Sequence, residues 1–73
     1  MLHKATKHKE FSGMWMFRGH AIDKCMDSNG RFSHWNIFTP EQVANREHLS
    51  GFATDSTNTL LDAKELINFW IGE

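Results

Sequence analysis

Tyrosine is absent from this 73-residue chain, and cysteine and proline occur once each. No unbroken apolar run is longer than the four residues Met14–Phe17. With Cys25 alone, no disulfide can form within the chain. A single free thiol fits a reducing compartment, where it serves as a small apolar filler. Apolar runs this short supply neither a membrane-spanning helix nor the apolar core of a signal peptide, so the expected location is the cytoplasm, with no membrane partner. A formal net charge of −1 provides no overall electrostatic drive towards nucleic acid or anionic lipid. There is no glycine-rich phosphate loop, no Cys-x-x-Cys pair and no Ser/His/Asp grouping in a recognisable context, so no catalytic signature is legible and no cofactor is implied. A chain of this length buries only about 60% of the surface its unfolded form exposes. Its stability must come from close packing or from self-association.

What is present reads as one small domain. Residues 1–10 carry Lys4, Lys7 and Lys9 with His3 and His8 and little to bury. They are expected to form a flexible basic tail ahead of a single α+β domain over 11–73. Met14–Met26 is predicted as one strand and Arg31–Phe38 as a second. Asn29-Gly30 between them is expected to make a two-residue type I′ turn with positive φ at both positions. That turn sets Ser28 opposite Arg31 and Met26 opposite Ser33. Further out, Lys24 faces Trp35, Ile22 faces Ile37, Cys25 faces His34, Asp23 faces Asn36 and Ala21 faces Phe38. Ile22, Met26, Trp35 and Ile37 then form the core face. Phe32, His34, Asn36 and Phe38 lie on the outer face. A bulge near Gly19 would bring Trp15 and Phe17 to the side of Ile22.

Thr39-Pro40-Glu41-Gln42 matches a capped helix start, but the thin apolar content that follows supports a single helical turn or a polar excursion. Leu49–Thr54 is predicted as a third strand and Asp55–Asn58 as a loop. Thr59 and Asp62 form a capping-box-like start for a C-terminal helix. Its stripe is Leu60, Ala63, Leu66, Ile67, Trp70 and Ile71, and Gly72 stops it. Leu61 and Phe69 fall outside the stripe. The expected fold is therefore a three-stranded antiparallel sheet, β-β-β-α, with one amphipathic helix on one face.

Several segments carry a resemblance: Phe17-Arg18-Gly19 followed by Ile22, Gly30-Arg31-Phe32 with Trp35 and Ile37, Gly51-Phe52-Ala53-Thr54, and Ala63-Lys64-Glu65-Leu66-Ile67. Over residues 16–71 the chain resembles small uncharacterised bacterial and phage proteins of strand-strand-strand-helix build, an orphan type carried on mobile elements. In element order it is also similar to the ethylene-response-factor DNA-binding domain and to the arm-binding domains of phage-type integrases. That resemblance implies DNA reading by arginines and tryptophans on the sheet. Here, however, Arg18, Lys24, Arg31 and Arg46 stand against Asp23, Asp27, Glu41, Glu47 and Asp55, whereas a DNA-reading sheet needs a positive excess.

Five histidines raise the question of a metal. His3, His8, His20, His34 and His48 are too widely spread for a zinc motif. Only the expected register brings Cys25, His34 and Asp23 together, and we read that group as an ordinary polar cross-strand set without metal. Cys25 beside His34 lacks the pocket and the oxyanion donors that an activated thiolate needs. The apolar surplus is more informative. Phe32, Phe38, His34, Leu61 and Phe69 are placed outside the core, where contiguous large apolar groups mark an interface unless Leu2 and Phe11 fold back over them. The expected function is a non-enzymatic protein-interaction module, an adaptor or inhibitor that forms a homodimer and binds a further protein. The alternative is a small nucleic-acid binder using Lys4, Lys7, Lys9, Arg18 and Arg31.

Overall fold

The computed structural model describes residues 6–7, 13–49 and 51–72. Thr6–Lys7 (β1), Met14–Phe17 (β2), His20–Met26 (β3), Phe32–Phe38 (β4) and Asp55–Thr57 (β5) form one antiparallel sheet in the order β1-β2-β3-β4-β5. Two helices accompany it, Pro40–Ala44 (α1) and Leu60–Ile71 (α2), with a 3-10 turn at Glu47–Leu49. The class is α+β with one C-terminal helix, as expected; the strand count and two strand positions differ.

The segment expected to be one strand over 14–26 is two, because Arg18 and Gly19 hold φ of 51° and 83°. That pair of left-handed conformations makes a two-residue type I′ turn, so the chain reverses instead of bulging, and Phe17 pairs with His20. Trp15 faces Ile22 across the new hairpin, which still places Trp15 and Phe17 on the side of Ile22. The β3–β4 connection differs in the opposite sense. Gly30 has φ of 78°, but Asn29 has no positive φ. The amide of Asp27 donates to Arg31 O at 2.8 Å, and that of Gly30 donates to Asp27 O at 3.0 Å. The loop therefore has three residues, 28–30, with Gly30 as its left-handed member. Asp27 Oδ1 accepts from the amides of Asn29 and Arg31 at 2.9 and 3.0 Å, and this Asx geometry favours the longer loop over the expected I′ turn.

A three-residue loop shifts the register by one, and Met26 meets Phe32 in place of Ser33. A bulge then inserts Ser33, and from Cys25–His34 outward every expected pair is found: Asp23–Asn36, Lys24–Trp35, Ile22–Ile37 and Ala21–Phe38. Phe32 consequently shares the face of Met26 and lies 5.9 Å ring to ring from Trp35. It belongs to the helix side of the sheet, not to the outer face with His34.

The expected third strand over 49–54 is displaced. Leu49 ends the 3-10 turn, and Asp55–Thr57, expected to be a loop, pairs with β4. Thr39 caps α1 in a full capping box with Gln42, giving the single short helix that its polar sequence allows. Gln42 also reaches forward. Its Nε2 donates to Phe52 O at 2.8 Å, and its Oε1 accepts from Thr54 Oγ1 at 2.7 Å. This fixes the path of residues 52–54 into β5. Within the 1–10 segment only Thr6 and Lys7 are described, and they pair with Met16 and Trp15.

α2 starts where Thr59 Oγ1 accepts from the amide of Asp62 at 3.0 Å and ends at left-handed Gly72. It packs over β3, β4 and β5. Phe17, Ile22, Ile37, Ala63 and Ile67 form the main core, with Trp15, Trp35, Leu60 and Leu66 against it. Met26, expected in that core, is 52% exposed, as the last residue of β3 at the loop end of the hairpin. A second, smaller cluster occupies the opposite face of the sheet. There Met14, Ala21 and Phe38 are buried beneath Met16, Val43 of α1 and Ala53. Among the described residues no helix is long and apolar enough to cross a membrane.

Candidate functional site

The most exposed regular surface is the outer side of α2. Leu61, Glu65 and Phe69 stand at i, i+4 and i+8, a row about 12 Å long that winds slowly round the helix. Leu61 is 51% exposed and Phe69 76% exposed; Glu65 and its neighbour Asp62 are exposed as well. The one lysine of the helix, Lys64, is turned the other way, with Nζ 5.9 Å from the centre of the buried Phe17 ring. The outer row is thus apolar and acidic, without a basic side chain among its residues.

A second apolar surface lies at the tip of the β3–β4 hairpin. Met26 and Phe32 pair across the strands, and Phe32 tilts against Trp35. Two of its charged neighbours are basic: Lys24 sits opposite Trp35, and Arg31 precedes Phe32. Both are exposed. Asp27, also exposed at this tip, accepts from the two turn amides and keeps its negative charge, so these three groups leave the tip net positive by one charge.

Of the expected interface residues, Leu61 and Phe69 stand at the surface as placed and Phe32 is half-open on the helix side. Phe38 is corrected: it is 4% exposed, because α1 and Ala53 cover that end of the outer face. His34 remains on the outer face and hydrogen-bonds Ser33 Oγ through Nδ1 at 2.8 Å.

The open half of the outer face is polar. Cys25 Sγ accepts from Asn36 Nδ2 at 3.0 Å, and its thiol points to Asp23 O at 3.7 Å. Partial burial, and then the neighbouring Asp23 charge, push the Cys25 thiol up, against the lowering effect of the Asn36 contacts. Burial also raises the Asp23 carboxyl. A thiol raised in this way stays protonated near neutral pH, the opposite of what a nucleophile needs. Among the described residues no three His, Cys, Asp or Glu side chains group closely enough to hold a metal ion.

The basic residues do not converge. Arg18, in the β2–β3 turn, donates from Nη1 to Asn68 Oδ1 of α2 at 2.8 Å. Arg31 lies beyond the far end of β3, a seven-residue strand, so the two are separated by roughly 20 Å of extended chain. Lys7 contributes its backbone to β1. Lys4 and Lys9 lie outside the described residues, as do His3, His8, Leu2 and Phe11.

Three features escape sequence periodicity. Asn68 is buried as the partner of Arg18, although it is polar and does not belong to the apolar stripe. His20 is buried, with Nδ1 donating to Arg18 O at 3.0 Å and its ring centroid 6.1 Å from that of Trp70. Phe52 is 94% exposed although its own carbonyl is held by Gln42. Comparison with protein-family models, with curated proteins and with solved structures finds no match to this chain.

Proposed function

We propose that the chain is a small non-enzymatic protein-interaction module, cytoplasmic and self-associating, and that the outer row of α2 is its principal contact surface. The observation that carries this reading is Phe69, 76% exposed in the last turn of a regular helix with Leu61 two turns away. Isolated exposed apolar residues are ordinary, but an aligned row on a rigid element has the form of a recognition surface. Among the described residues the core is five buried side chains with a three-residue satellite, and burying the row against a partner would add to it.

The nucleic-acid reading has less support. Arg18 is committed to Asn68, and the described basic groups are spread between opposite ends of the sheet, where phosphate binding calls for one continuous basic face.

Sedimentation equilibrium over a wide concentration range tests the proposal. The expected result is a reversible monomer–dimer equilibrium that Phe69→Ser shifts to monomer while its circular dichroism stays that of the parent. A monomer mass at every concentration would overturn self-association.

A further inference from the structure

Among the described residues, the α2 row and the hairpin tip are exposed apolar surfaces of opposite net charge. The α2 row sets Leu61 and Phe69 among Asp62 and Glu65; the hairpin tip sets Met26, Phe32 and Trp35 beside Lys24 and Arg31. Each spans about 10 Å, judged from helix rise and strand spacing. They are also neighbours. The far end of α2 reaches His20 through Trp70, and its first turn follows directly on Thr57, which pairs with Trp35. The tip therefore projects just past the helix start, on the same side of the sheet.

We infer that two copies of this chain pair reciprocally about a twofold axis, the hairpin tip of each seated on the outer α2 row of the other. The inference rests on the reading of the chain as self-associating and adds the partner surface. Charge decides the arrangement. Joining two α2 rows would set Asp62 and Glu65 against their own copies, and joining two tips would do the same with Lys24 and Arg31. Of the twofold-symmetric pairings these two surfaces allow, only the reciprocal one brings opposite charges together, and it closes both contacts within one pair instead of leaving a free tip and a free row as a head-to-tail chain would. Twofold symmetry makes each contact twice, since residue i meets j and j meets i. The apolar groups supply the burial; the charges set the register and exclude the like-with-like alternatives.

The test is a charge exchange at exposed positions, Lys24→Glu and Glu65→Lys, followed by sedimentation equilibrium and by native mass measurement of mixtures. Each single variant replaces two attractive contacts with two repulsive ones and is expected to weaken the dimer roughly ten- to thirtyfold. Mixing the two variants restores association as a heterodimer, because both contacts in the mixed pair then join opposite charges. The double variant restores it within one chain. Added sodium chloride weakens the parent dimer, as screening of opposite charges requires. If the parent dimerises but the mixture associates no better than either variant alone, or if salt strengthens the dimer, reciprocal pairing is overturned while self-association stands. If the parent is monomeric throughout, both readings fall together.

Discussion

Arg18 occupies a backbone conformation that costs an L-residue about 1–2 kcal/mol. Its guanidinium bond to the buried Asn68 offsets part of that cost by tying the β2–β3 turn to α2. The glycine beside it, Gly19, and Gly30 at the next hairpin both sit at positive φ, yet they should not respond alike to substitution. A Cβ on Gly30 would meet nothing within 4 Å, whereas one on Gly19 would lie 3.3 Å from Pro40 Cγ. Gly30→Ala is therefore expected to lose about 1 kcal/mol from backbone strain alone, and Gly19→Ala measurably more. Urea denaturation of the two variants decides this; equal losses would mean that Pro40 yields freely and that the β2–β3 turn is not wedged against α1. Cys25 and Asp23 make a simpler point at this scale. Sequence pairing alone set Cys25 opposite His34, but the nearest polar contact of its sulfur is Asn36, a diagonal neighbour that a register does not rank.

At the scale of elements, α2 was the most legible part of the chain. Cap and stop stand where Thr59, Asp62 and Gly72 put them, and the stripe holds from Leu60 to Ile67, while its last two members, Trp70 and Ile71, are exposed. What spacing does not give is where the sheet beneath the helix ends. Ile67 is fully buried, but Trp70, one turn on, is 37% exposed, because it has passed the last core strand pair and leans on His20. Ile67→Ala is thus expected to cost roughly 2–5 kcal/mol and Trp70→Ala less than about 2. Thermal melts of the two variants check the order, and a larger loss at Trp70 would place the weight of the core at the wrong end of the helix. The strands were half legible. The β3–β4 register is correct from Cys25 outward because a longer loop and the Ser33 bulge shift it in opposite senses. The Arg18-Gly19 reversal was hidden because arginine is a rare occupant of a left-handed position. β5 was hidden because Asp55-Ser56-Thr57 has no apolar alternation: it is an edge strand held by β4 and by the Gln42 network, not by burial. A loop of three residues and a bulge carry Phe32 to the helix side, and α1 covers Phe38, so of the expected interface residues only His34 stays on the open sheet face, while Leu61 and Phe69 stand exposed on α2 as placed.

For the whole molecule, a domain of this size stands only a few kcal/mol above unfolding, so its melting temperature should rise with protein concentration if the native state is a dimer. The strand order has a further consequence, in time. Every strand in β1-β2-β3-β4-β5 pairs with its neighbour in sequence, and the two central hairpins close through loops of only two and three residues. No distant segments must find one another before the first pairs form, and the entropy of closing such loops is small. Sheets built from remote pairings fold in milliseconds to seconds, and one built from adjacent hairpins is expected at the fast end of that range. If the β3–β4 hairpin forms first and α2 docks onto it, Ile37→Val should slow refolding in stopped-flow fluorescence, whereas Ile67→Val should chiefly speed unfolding. The reverse pattern would mean that the helix recruits the sheet. In the expected order, Phe32 and Met26 would already be displayed at a formed tip while the α2 row is still assembling, so a second copy would meet one half of the paired surface before the other exists.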